Sequence, residues 1–161
     1  MRSLQIRQAE RQDLRAIENL LLQLGYSSTQ EQLQMYLEKS ERTDEIYIAE
    51  EEGNIIGLIS LLFFDYFPAQ QQICRITALI VTQACRGLGV GTQLINFAKA
   101  RANEQGCHQL EVTTSMRREK TQAYYEAIGF EKTSFRYIHT IAHADTIASN
   151  LNVEQTDHSK S

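Results

Sequence analysis

The chain has 161 residues, is 42% hydrophobic and carries a formal net charge of −4. That length suits one ordinary domain with a sizeable core, and the apolar content excludes a disordered chain. The acidic balance argues against nucleic acid as the main ligand, and the three cysteines and four scattered histidines offer no metal-ligand spacing.

Along the chain, Leu4 to Arg7 alternates as a short strand. Asp13 opens a helix with Leu14, Ile17, Leu21 and Leu24 on one stripe, ended by Gly25. Ser28-Thr29-Gln30-Glu31 has the spacing of a capping box and predicts a second helix to about Lys39. Ile46 to Glu50 is a strand, Glu52-Gly53-Asn54 a turn, and Ile55 to Asp65 the returning arm of a hairpin. Phe67-Pro68-Ala69 marks a loop before a strand over Ile73 to Val81. After a glycine-rich turn, Val90, Leu94, Phe97, Ala98 and Ala102 give an amphipathic helix that stops at Gly106. His108 to Thr114 reads as a strand and Glu119 to Ile128 as a helix ended by Gly129. Phe130 to Ile141 predicts one or two closing strands. From Ala142 the chain is polar and aperiodic, which predicts a disordered tail over 142–161.

The turn Arg86-Gly87-Leu88-Gly89-Val90-Gly91-Thr92 carries most of the functional information. Glycines at alternate positions join a strand to a helix, so successive backbone N–H groups face outward where the helix dipole favours an anion. The natural guest is a phosphate or pyrophosphate. A Walker loop is excluded because no Lys follows the glycines. A dinucleotide fingerprint is excluded because Leu94 stands where its third glycine belongs. A turn that only tightens a strand–helix corner is the bland alternative.

What fits is [Q/R]-x-x-G-x-[G/A], as Arg86, Gly89 and Gly91. A second segment, Ala123-Tyr124-Tyr125-Glu126-Ala127-Ile128-Gly129-Phe130, is similar to A-x-F-Y-E-x-x-G-F. In this order and separation the two motifs resemble the GNAT superfamily of N-acetyltransferases over residues 4–141. The resemblance implies an α/β fold: a mixed, mostly antiparallel twisted sheet of six or seven strands with four helices, strands 4 and 5 splaying apart. It also implies a single acetyltransferase domain over 1–141.

The same resemblance implies that acetyl-CoA is the co-substrate and that no metal takes part. Leu79, Ile80 and Val81 would pair with the pantetheine arm as an extra strand would. The backbone of Arg86, Gly87, Leu88, Gly89, Val90, Gly91 and Thr92 would wrap the pyrophosphate, with the Arg86 side chain adding a charged contact or facing solvent. Tyr125 matches the tyrosine that protonates the departing thiolate, and Tyr124 reads as its core neighbour. The general base stays open. The fourth strand, Cys74-Arg75-Ile76-Thr77-Ala78, lacks the glutamate many relatives carry, leaving Asp65, Glu111, Glu119 or water alone.

Arg117-Arg118-Glu119 also stands where many relatives have Asn. Thr114 to Glu119, with Thr133 to Tyr137, resembles a subgroup of small enzymes of this family, some of which act on small amines including aminoalkylphosphonates, and Arg118 or Arg136 would then meet an anionic substrate group or the cofactor phosphates, or simply face solvent. The expected reaction moves an acetyl group to a primary amine of a small molecule by direct attack in a ternary complex. The alternative is a non-catalytic acyl-CoA-binding or regulatory module of the same fold. The resemblance further implies a homodimer formed through the last strands. An odd cysteine count without C-x-x-C predicts reduced thiols. Met1-Arg2-Ser3-Leu4 carries no apolar signal core, which predicts a cytoplasmic protein with no membrane partner.

Overall fold

In the computed structural model, which describes residues 3–142, five strands lie side by side in chain order in one sheet. They are β1 (Leu4–Gln8), β2 (Asp44–Glu51), β3 (Asn54–Tyr66), β4 (Gln71–Val81) and β5 (Gln109–Val112). The first three junctions are antiparallel, and β5 joins β4 in parallel. The helices are α1 (Leu14–Leu24), α2 (Gln30–Leu37), α3 (Val90–Glu104) and α4 (Glu119–Ala127). The mixed α/β class expected from the sequence is what forms.

Local chemistry sets most boundaries. Gly25 closes α1 in the left-handed region at φ 104°, its N–H reaching Leu21 O and Leu22 O. The capping box of α2 forms one residue later than its first reading: Thr29 accepts from the Gln32 N–H, and the Gln32 side chain returns to the Thr29 N–H. Ser28 and Glu31 share the same spacing, but the chain selects the pair that lets Leu33 begin the helical ladder on Thr29 O.

Successive residues of β2 serve opposite faces of the sheet. Ile48 joins Ile17 and Leu20 of α1, Leu58 and Ile80 in one core cluster. Its neighbour Tyr47 meets Phe97 of α3 edge-on, with ring centroids 4.6 Å apart. Helix α3 comes close to the sheet at Gly57, where a Cβ would lie 3.2 Å from Leu94 Cδ1 and from Ile80 O. Arg101 then fixes the helix direction through two bonds to Glu45, at 2.6 and 2.7 Å. The helix beside the glycine turn is thus held along its length.

A second anchor lies at the start of α1. Arg7 grips both oxygens of the buried Asp13 carboxylate at 2.8 and 2.9 Å, and Asp13 Oδ2 also accepts the Glu10 N–H. The Arg7 guanidinium holds the Asp13 carboxyl below its ordinary range. The unfolded chain therefore takes up this proton first, and the stabilisation is complete above about pH 4. It is lost as the pH falls through the lower folded value. We expect Asp13→Asn to cost about 2 kcal/mol at pH 7 and less at pH 3. Urea unfolding at the two pH values tests this; an equal loss at both would refute the linkage.

The described chain divides between Tyr124 and Tyr125 into two compact units. The second contains the end of α4, where Gly129 at φ 98° donates to Glu126 O and Phe130 donates to Tyr125 O. Residues 130–142 then form neither strand nor helix, so the closing strands expected over Phe130 to Ile141 are absent. Phe135, Tyr137, Ile138 and Ile141 are exposed. A segment rich in aromatic and β-branched residues becomes a strand only where a neighbour accepts its backbone bonds, and the described residues pair this segment with no strand. The sheet accordingly has five strands among the described residues. The tail expected to be disordered lies, apart from Ala142, outside them.

Candidate functional site

The site is assembled where β4 leaves the sheet. Thr82 donates to Ile56 O at 2.8 Å, which pins the exit of the strand, and Cys85 donates back to Thr82 O to start a tight turn. Gly87 at φ 78° and Gly89 at φ 84° then turn the chain through the left-handed region, and Gly89 caps α3. Among the described residues, no atom beyond the chain neighbours lies within 4 Å of a Cβ built on either glycine, so the space beside the turn is open.

The first ladder bond of α3 runs from Gln93 N–H to Gly89 O. The N–H groups of Val90, Gly91 and Thr92 therefore lie ahead of the helical ladder, at the positive end of a 15-residue helix. This is the arrangement expected for holding a phosphate group. A cavity of about 290 Å³ beside the turn is lined by Leu4, Ile56, Leu88, Val90 and the acid Glu51. The Glu51 carboxylate in its wall does not suit a polyanion, whereas the N–H groups of the turn do.

The Arg86 side chain is exposed. Its Nε donates to Val81 O at 3.0 Å and so closes the turn on the strand that precedes it. Leu79, Ile80 and Val81 pair with Ile59, Leu58 and Gly57 of β3 on one edge. On the other edge the parallel ladder with β5 ends at Ile76↔Val112. The last five residues of β4 thus extend beyond β5, as a splayed fourth and fifth strand would. An extended amide-bearing chain is the partner such an edge accepts.

The adjacent tyrosines exchange the environments expected of them. Tyr125 is the buried one, 9% exposed, with its ring edge-on to Phe130 at 5.5 Å. Tyr124 is half-buried, and its hydroxyl lies 2.8 Å from Thr92 Oγ1 in the first turn of α3. Successive helical residues project about 100° apart, so the two side chains leave α4 in different directions. The signal for Tyr124 was present in the sequence as a Tyr where the family segment has Phe.

The carboxylates considered as bases differ in their surroundings. Glu111 stands opposite Arg75 on the neighbouring strand and accepts from Arg75 Nε at 2.5 Å. Arg75 also lies over the Phe64 ring, 5.0 Å from its centroid. Asp65 near the end of β3 and Glu119 at the start of α4 are exposed. Strand β4 itself carries no carboxylate.

None of the three cysteines forms a disulfide. Burial pushes the Cys74 thiol up to about 12, which makes it inert as a nucleophile. Among the described residues, no three His, Cys, Asp or Glu side chains gather to hold a metal ion, and no helix is long and apolar enough to cross a membrane.

With this geometry in place, comparison with known proteins gives a consistent result. Residues 11–130 match the model of the acetyltransferase (GNAT) family. The chain is 28% identical over 90 residues to an aminoalkylphosphonate N-acetyltransferase from Salmonella typhimurium, covering 56% of this chain and 58% of that protein. The match thus spans less than two thirds of the relative's own length. Among solved structures, a transcriptional regulator from Bacillus halodurans C-125 superposes with a TM-score of 0.78 at 25% identity, over 86% of this chain and 100% of that one. An aminoglycoside N-acetyltransferase, AAC(6')-Iy, in complex with CoA shares the fold with a TM-score of 0.75 at 20% identity, over 88% and 96%.

Proposed function

The chain belongs to the acetyltransferase (GNAT) family, and on that footing we propose that it moves an acetyl group from acetyl-CoA to a primary amine of a small molecule. The observation that carries this reading is the glycine turn that opens α3 next to an edge of β4 that, among the described residues, has no strand partner beyond Ile76. In this reading the backbone from Arg86 to Thr92 receives the pyrophosphate, and Leu79, Ile80 and Val81 receive the pantetheine amides. Arg86 contributes by locking the turn to Val81 O.

The reaction is direct attack in a ternary complex. The amine nitrogen forms a bond to the acetyl carbon as the carbon–sulfur bond breaks. The sulfur leaves with the phenolic proton of Tyr125, whose role rests on its match to the family segment. The amine gives up one proton. Glu111 already accepts from Arg75 Nε. Water, Asp65 or Glu119 takes that proton in our reading.

Small amines bearing an acidic group, aminoalkylphosphonates first, lead the acceptor screen, since a relative named for that activity is 28% identical over 90 residues. A specific observation favours a second reading: β4 lacks a carboxylate, which suits a module that binds acyl-CoA without turnover. Calorimetric titration with acetyl-CoA, followed by thiol release against an amine panel, separates the two. Saturable binding with release supports the enzyme, binding without release supports the module, and no binding excludes both.

A further inference from the structure

We propose that Tyr124 is a positioning residue for the phosphate-binding turn: its phenol fixes the Thr92 hydroxyl as a donor to a phosphate oxygen. The inference rests on the acetyl-CoA reading above and adds a residue to it. The family segment has Phe where this chain has Tyr124, so the chain differs there by one hydroxyl. That hydroxyl lies 2.8 Å from Thr92 Oγ1, across 32 positions of sequence.

The phenol oxygen also lies beside the turn itself. A Cβ built on Gly91 would be 3.8 Å from it and 3.8 Å from Val81 Cγ2. Tyr124 therefore touches the place where Val81, Gly91 and Thr92 come together, between the end of β4 and the start of α3.

Hydroxyl chemistry supplies the direction. A threonine hydroxyl has one proton to give and two lone pairs. Within a helix its ordinary partner is the carbonyl three or four residues back, which uses up the proton. A phenol is the stronger acid and the better donor. When it donates to Thr92 Oγ1, the threonine proton is left for the incoming anion, alongside the N–H groups of Val90, Gly91 and Thr92. A hydrogen bond to a charged acceptor is worth more than a neutral one, and a donor held in advance loses less entropy on binding.

The test uses the intact protein, acetyl-CoA and three variants: Tyr124→Phe, Thr92→Val and the double substitution. Thr92→Val keeps the branched shape and removes only the hydroxyl. We expect Tyr124→Phe to weaken acetyl-CoA binding by about 3- to 10-fold, and Thr92→Val by at least as much. The double variant should be no weaker than Thr92→Val, because both substitutions remove one linked contact. Phosphorus NMR of bound CoA should show the pyrophosphate resonances displaced in Tyr124→Phe, which a change in packing alone would not produce. Unchanged affinity in Tyr124→Phe, fully additive losses, or unmoved phosphorus resonances would each overturn the proposal. Failure of the unsubstituted protein to bind acetyl-CoA would overturn the parent reading and this one together. Binding by the unsubstituted protein with an indifferent Tyr124→Phe would overturn this one alone.

Discussion

Gly89→Val is expected to bring acetyl-CoA binding below detection while the chain remains folded. Gly89 sits at φ 84° with no atom of the described residues beyond its chain neighbours within 4 Å of a built Cβ, so the added branch projects into the open space where we propose the pyrophosphate binds. Backbone strain is the complication: a β-branched residue in the left-handed region costs about 2 kcal/mol. A domain of this size tolerates that cost, since native stabilities run to roughly 5–15 kcal/mol. Gly106→Val separates strain from ligand exclusion. Gly106 has φ 74° and equally open surroundings but follows the other end of α3, about 22 Å away along a 15-residue helix. Both variants should lose similar thermal stability, and only Gly89→Val should lose binding in calorimetry. Equal binding losses would show that general destabilisation, not a blocked phosphate seat, is responsible.

Tyr125→Phe carries the second large effect. If the phenol protonates the leaving sulfur, its removal should lower kcat by about 100-fold, within the range of general-acid contributions, with KM for acetyl-CoA nearly unchanged. The ring and its edge-on contact with Phe130 survive the substitution, so the fold should change little. Steady-state kinetics with the best amine from the screen provide the measurement. Full turnover in Tyr125→Phe would remove the general-acid role. A loss confined to KM would move the tyrosine from chemistry to binding. Tyr124→Phe should show the opposite pattern, a binding effect without a kcat effect, so the two neighbouring variants serve as controls for each other.

Some of this was legible in the chain because it depends on neighbours in sequence. The left-handed turns at Gly87 and Gly89 need residues without a Cβ, and the glycines announce them. The apolar stripe of α1 repeats at helical spacing, and its end at Gly25 follows from the same rule. The strand–glycine–helix order that exposes the first N–H groups of α3 is likewise written locally. So is the family membership, which two short motifs in the right order convey.

The rest was decided by where the elements land. Ser28/Glu31 and Thr29/Gln32 have identical spacing, and only the start of the ladder at Leu33 selects the second pair. Glu111 reads as a free carboxylate until the parallel register of β4 and β5 sets Arg75 against it. Phe130 to Ile141 is rich in aromatic and β-branched residues, as strands are, yet strand formation needs a partner, and composition does not provide one. Tyr124 and Tyr125 differ by one position and about 100° of rotation around α4, which no periodicity of the sequence orients. Motifs and turns follow from interactions between near neighbours, so the sequence alone determined them. The pairing of residues far apart in sequence, including the bond from Tyr124 to Thr92, exists only once helix and sheet are packed, so the tertiary structure decided it.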